Sequence, residues 1–191
     1  YDSLKMTPLS WSVARNNRSA IDELLSGGAD PWKTEGYPVN SAVYIAAALG
    51  RWPDFQRLSS IGSPQFGERG WDASYLRAAM TGGNITILNH MLSQPNVGVQ
   101  IWSLSRPHLS ADVFDAVLKK QPELADKLLI KAVGGHPPRA DLVSVALAHG
   151  ADPDARERPE ADTALTTAAN GIYPDSVEIV RMLLKAGANP N

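Results

Sequence analysis

One short phrase, repeated at long intervals, constrains this chain more tightly than its composition does. A small residue, Gly, Ala or Ser, and then Asp, Asn or Pro occurs as Gly27-Gly28-Ala29-Asp30-Pro31, Ile61-Gly62-Ser63-Pro64, His149-Gly150-Ala151-Asp152-Pro153 and Ala186-Gly187-Ala188-Asn189-Pro190. Each copy follows an apolar run: Ile21, Leu24, Leu25; Phe55, Leu58; Leu142, Val143, Leu147; Ile179, Val180, Leu183, Leu184. Spacing of i, i+3, i+4 marks one buried stripe per helix. Gly after the last apolar turn suits a left-handed C-cap, and Pro beyond it forbids continuation. Four copies at related spacing specify a repeat.

A shorter helix is expected upstream of each of these. The candidates are Thr7-Pro8-Leu9-Ser10, Ser41 to Ala48, Ser74 to Met80, and Thr163 to Ala169. Thr or Ser at the head supplies an N-cap oxygen, and Pro8 sits where its missing N–H costs nothing. Ala46, Ala47, Ala79, Ala168 and Ala169 let neighbouring helices approach closely. Between paired helices lie Asn16-Asn17, Leu49-Gly50, Gly82-Gly83 and Asn170-Gly171, types that tolerate the positive φ of a tight turn.

Thr7-Pro8-Leu9-Ser10 followed by Gly28-Ala29-Asp30 resembles an ankyrin repeat, whose pattern is Thr-Pro-Leu-His, paired Ala, a Gly turn, a Leu-rich helix and Gly-Ala-Asp. The steps from Thr7 to Gly28 and from Ser41 to Gly62 match that family, and the step from Ser41 to Ser74 matches its period of about 33 residues. The resemblance implies an all-α, ankyrin-like helical-repeat solenoid of about six helix–turn–helix units with projecting loops or short β-hairpins, degenerate over nearly the whole chain. The units expected are 1–35, 36–68, 69–97, 98–124, 125–157 and 158–191, in a single domain. Gly134-Gly135-His136-Pro137-Pro138 and Gly171-Ile172-Tyr173-Pro174 read as related, lengthened inter-helix turns in the last two. In the fourth, 99–105 is the inner helix and 111–120 the outer one. The competing fold is a generic bundle or another helical repeat such as the tetratricopeptide type. Within the repeat reading, Leu24→Ala is expected to destabilise by about 2–5 kcal/mol.

Composition supports a folded chain: of 191 residues, 43% are hydrophobic and 20% charged, and the net charge of -2 gives no overall attraction to nucleic acid or anionic lipid. No apolar run approaches the roughly 20 residues of a membrane span. Without Cys there is no disulfide, thiolate zinc site or cysteine nucleophile. His90, His108, His136 and His149 fall singly on different units, and phosphate-loop, dinucleotide and nucleophile-elbow motifs are absent. We therefore expect no enzyme, no metal and no cofactor.

A stacked repeat offers a rigid concave surface that loses little entropy on binding. The resemblance implies binding by the inner helices and finger loops, the fingers falling near 31–40, 64–73, 94–100 and 153–162. Trp, Tyr and Arg dominate interface energetics. On the fingers the candidates are Trp32, Tyr37, Arg69, Trp71, Arg156 and Arg158, and on the inner helices Trp11, Arg15, Tyr44 and Arg77. Other readings stay open: Trp32 and Trp71 packed on their own finger, Tyr37 packed beside Pro38, Trp11 capping the stack, and the Arg156-Glu157-Arg158 run simply solvated. Trp52 and Trp102 read as structural.

The expected function is non-catalytic recognition of another protein, by a chain otherwise monomeric and inserted in no membrane. Two alternatives stand beside it: a bacterial inhibitor or immunity protein that neutralises one toxic effector enzyme, and a repeat module of a larger enzyme or regulator. The compartment stays open between cytoplasmic and, for a bacterial chain processed upstream of Tyr1, periplasmic.

Overall fold

Hydroxyl caps start the short helices in the computed structural model, which describes residues 5–34, 40–62, 73–94 and 109–191. Thr7 Oγ1 accepts from the Ser10 amide at the head of α1 (Pro8–Ala14), and Ser41 Oγ from the Tyr44 amide at the head of α3 (Ala42–Ala48), each at 3.1 Å. Thr163 Oγ1 does the same for the Thr166 amide, at 3.0 Å, before α10 (Ala164–Ala169). Asn17 and Asn84 cap the longer helices α2 (Arg18–Ser26) and α6 (Ile85–Leu92). Each such cap contributes about 1 kcal/mol.

The recurring phrase has a local physical meaning. After α2, α9 (Ala140–Ala148) and α11 (Asp175–Lys185), the amides of Ala29, Ala151 and Ala188 return to the carbonyls of Leu24, Ala146 and Leu183 at 2.9, 3.0 and 3.0 Å. The preceding Gly28, Gly150 and Gly187 hold φ of 82°, 82° and 100°, the left-handed geometry this cap requires. Asp30, Asp152 and Asn189 then accept from the amide two residues on, at 2.9, 2.9 and 3.0 Å, forming three equivalent Asx turns.

The described residues belong to two compact units, Tyr1–Val99 and Gln100–Asn191. In the first, α1 pairs with α2, α3 with α4 (Trp52–Ser59), and α5 (Ala73–Gly82) with α6. The inner helices α1, α3 and α5 stack in sequence, and α4 lies against α6. Ala42, Ala46, Ala47, Ala78 and Ala79 are buried where α3 meets its neighbours, because only small side chains permit that approach. The inter-helix turns use equivalent left-handed residues, Asn16, Gly50 and Gly83.

In the second unit, α8 (Ala125–Val133) pairs with α9 and α10 with α11; α8 packs on α10 and α9 on α11. The remaining helix, α7 (Ala111–Lys120), packs against α9, the place of an outer helix, and a short 3₁₀ turn (Pro122–Leu124) leads into α8. The segment 99–105 lies outside the described residues. The two lengthened turns touch: the His136 and Tyr173 rings meet edge to face at 5.9 Å. Among the described residues there is no strand, and 153–162 is a loop of successive turns. Nor is any described helix long and apolar enough to cross a membrane. The fold is thus all-α and built of repeated helix hairpins.

The buried stripe of the longer helices is narrower than their apolar runs. Of Ile21, Leu24 and Leu25 only Ile21 is fully buried, and Leu184 is 44% exposed. A helix covered on one flank and by its own partner buries fewer positions than its composition allows. Leu24→Ala therefore costs about 1–2 kcal/mol, less than the run of apolar residues suggested.

A polar tie joins α7 to α9. Nε2 of His149 donates to Asp115 Oδ1 at 2.9 Å, and Lys119 Nζ lies 2.7 Å from Asp115 Oδ2. Hydrogen bonding from Lys119, then from His149, holds the Asp115 carboxyl below the ordinary carboxylate range. A lowered folded pKa stabilises above the unfolded value, about 3.9, and that stabilisation is lost as pH falls through the folded value. Because Asp115 is 40% exposed, solvent screening keeps the effect small. Asp115→Asn is expected to lower stability by about 0.5 kcal/mol at pH 7 and by nothing measurable at pH 2. Urea denaturation at the two pH values checks this; an equal loss at both would make the tie one of shape rather than charge.

Candidate partner-binding face

Leu9, Ser10 and Val13 turn one side of α1 into the first unit, which leaves Trp11 and Arg15 together on the other side, one turn apart. The Arg15 guanidinium carbon lies 5.7 Å from the centroid of the Trp11 ring, within cation–π range. Trp11 is half-buried and Arg15 exposed. The indole is thereby braced against its own helix, with a charge at its rim.

Cap register decides what stands beside this pair. Thr7 and Ser41 begin equivalent helices, so Trp11 corresponds to Ile45 and Arg15 to Leu49. Ile45 is half-buried and Leu49 is 48% exposed. Tyr44 instead corresponds to Ser10, whose hydroxyl donates to the Asn40 carbonyl at 2.6 Å. One residue is about 100° around a helix. Tyr44 accordingly turns toward the next inner helix, its ring edge-on to Tyr75 at 5.8 Å. The turn glycines Gly50 and Gly83 set the next register, which matches Ile45 with Ala78 and Leu49 with Gly82 on α5, where side chains dwindle and the two backbones meet. The candidate face is therefore Trp11, Arg15, Ile45 and Leu49. Counting steps from the hydroxyl caps, rather than from the nearest aromatic, is the sequence signal that finds Ile45.

The other sequence candidates lie elsewhere. Trp32 is half-buried: its indole N–H donates to the Ile61 carbonyl at 3.0 Å and its ring tilts against Tyr75 at 5.7 Å. Arg77 is half-buried on α5. Arg156 and Arg158 are exposed on the 153–162 loop of the second unit, above the buried Ala155. Tyr37, Arg69 and Trp71 lie outside the described residues, as does Trp102. Trp52 stacks on Phe55 at 6.1 Å and meets His90 at 5.7 Å, within the packing of α4 against α6. A further apolar projection belongs to the second unit, where Ile172 in the lengthened turn is 92% exposed. Among the described residues no cluster of three His, Asp or Glu could hold a metal ion.

Comparison with known proteins adds one assignment. Residues 162–191 match the ankyrin repeat family. That span holds α10, α11, the left-handed cap at Gly187 and the Asx turn at Asn189. An ankyrin repeat points to a protein–protein interaction module, and such modules are typically non-catalytic. No curated protein matches the chain.

Proposed function

We propose that this chain is a non-catalytic protein-recognition scaffold, that its other hairpins are diverged ankyrin-like repeats, and that a partner protein docks on Trp11, Arg15, Ile45 and Leu49. The observation carrying this reading is a row of incompletely buried apolar side chains on two adjacent inner helices, rimmed by a guanidinium. The repeated caps fix these helices before any partner arrives, so few groups need ordering on binding.

Leu49→Ser and Arg15→Ala are expected each to weaken partner binding about tenfold, equivalent to about 1.4 kcal/mol, with thermal unfolding shifted by only a few degrees. Arg156→Ala, on the other unit, serves as the control. The measurement is calorimetric titration of each variant with a partner co-purified from the source cell. Unchanged affinity in both face variants would place the interface elsewhere. A single enzyme captured in equal proportion and losing activity supports the narrower role of inhibitor; several unrelated partners support an adaptor.

A further inference from the structure

Cap register identifies the flank on which an outer helix receives its neighbour. Ala29, Ala151 and Ala188 close their helices through the carbonyls of Leu24, Ala146 and Leu183. Leu184 on α11 therefore corresponds to Leu25 on α2 and Leu147 on α9, and Arg181 corresponds to Asp22 on α2. There the flank is engaged: Leu25 and Leu147 are half-buried, and Asp22 is ion-paired with Arg57 of α4, the next outer helix. On α11 it is bare. That helix packs on α9 and α10 and buries Ser176, Ile179 and Leu183. It leaves Val177 58% and Leu184 44% exposed, two turns apart, with the exposed Arg181 between them.

Charge on this helix is divided by half. Asp175 and Glu178 stand in its first half, Arg181 and Lys185 in its second. All four are exposed, and none is ion-paired among the described residues. An acidic start and a basic end suit the helix's own dipole, and they also make the helix complementary to itself turned end for end. We infer that two copies of this chain associate through α11, antiparallel about a two-fold axis near Val180. Val177 then lies against Leu184 of the second copy, Asp175 against its Lys185 and Glu178 against its Arg181, each contact made twice. A copy laid parallel would instead set acid against acid and base against base. The sequence led us to expect an otherwise monomeric chain, and this contact departs from that expectation. It is a small one: 11 residues of helix span about 16 Å. That falls short of the roughly 1,200–2,000 Å² of a stable complex, so the dimer forms with a Kd on the order of 0.1 mM.

Sedimentation equilibrium of the full chain, from about 10 µM to about 1 mM, tests this. The expected result is a monomer–dimer equilibrium that stops at two copies. Leu184→Ser, Glu178→Arg and Arg181→Glu should each weaken it about tenfold or more, with helical content unchanged by circular dichroism. An equimolar mixture of Glu178→Arg and Arg181→Glu chains should recover dimer, because each then meets opposite charge. Leu49→Ser, on the face proposed for the partner protein, should leave the equilibrium alone. A chain that stays monomeric to about 1 mM overturns the inference. So does a dimer indifferent to all three α11 variants, or one lost on Leu49→Ser instead, which would move self-association to the first unit. Growth beyond two copies overturns it as well, since a two-fold contact closes at the dimer.

Discussion

Gly82→Ala is expected to destabilise the first unit by about 3 kcal/mol, the upper part of the range for forced overpacking. A Cβ at this position would run into the Ala47 carbonyl oxygen and come within 2.8 Å of the Gly50 nitrogen and 3.1 Å of the Ala48 carbonyl oxygen. All three are backbone atoms, so no rotamer change relieves the clash; α5 must move away from α3. Separation loosens the packing of Ala46, Ala47, Ala78 and Ala79, which are buried because those helices nearly touch. The adjacent Gly83→Ala is the comparison. Its Cβ meets nothing within 4 Å, but its φ of +66° imposes the left-handed penalty of about 1–2 kcal/mol. Urea midpoints at constant m-value separate the two. A Gly82→Ala loss no larger than that of Gly83→Ala would mean that α3 and α5 do not approach as described.

What the sequence makes legible is what local chemistry determines. Gly28-Ala29-Asp30 closes a helix, supplies a left-handed residue and opens an Asx turn within a few positions, so the phrase can be read without its surroundings. The hydroxyl caps at Thr7, Ser41 and Thr163 are equally local. The facing of α3 is not. Its sequence, Ala-Val-Tyr-Ile-Ala-Ala-Ala, has little polar contrast from which to read a side, and Tyr44 draws the eye although Ile45 occupies the place equivalent to Trp11. The exposure of Leu24 was likewise hidden, because burial of an outer-helix residue depends on the element beside it rather than on its own run. The tie between Asp115 and His149 spans two helices with no local motif to announce it.

Phe55→Ala is expected to cost about 3–5 kcal/mol, the range for removing a large buried aromatic side chain. Phe55 is fully buried on α4, stacked beside Trp52 at 6.1 Å and met edge-on by His90 of α6 at 5.9 Å. Truncation leaves a void at a junction formed by two successive hairpins, beside the half-buried Trp52. In a repeat stack, stability is largely a sum over hairpins and the interfaces between neighbours, so this loss falls on α4 and α6 together. Hydrogen exchange should quicken in both helices while α8–α11 keep their protection. A double-mutant cycle with His90→Ala isolates the ring-to-ring part, expected at about 0.5–1.5 kcal/mol. Leu24→Ala, at a half-buried position of the equivalent helix α2, is the natural yardstick. If Phe55→Ala costs no more than Leu24→Ala, or if its faster exchange stops at α4, then the outer helices are not stacked one upon the next, and the rigid platform under Trp11, Ile45 and Leu49 loses its support.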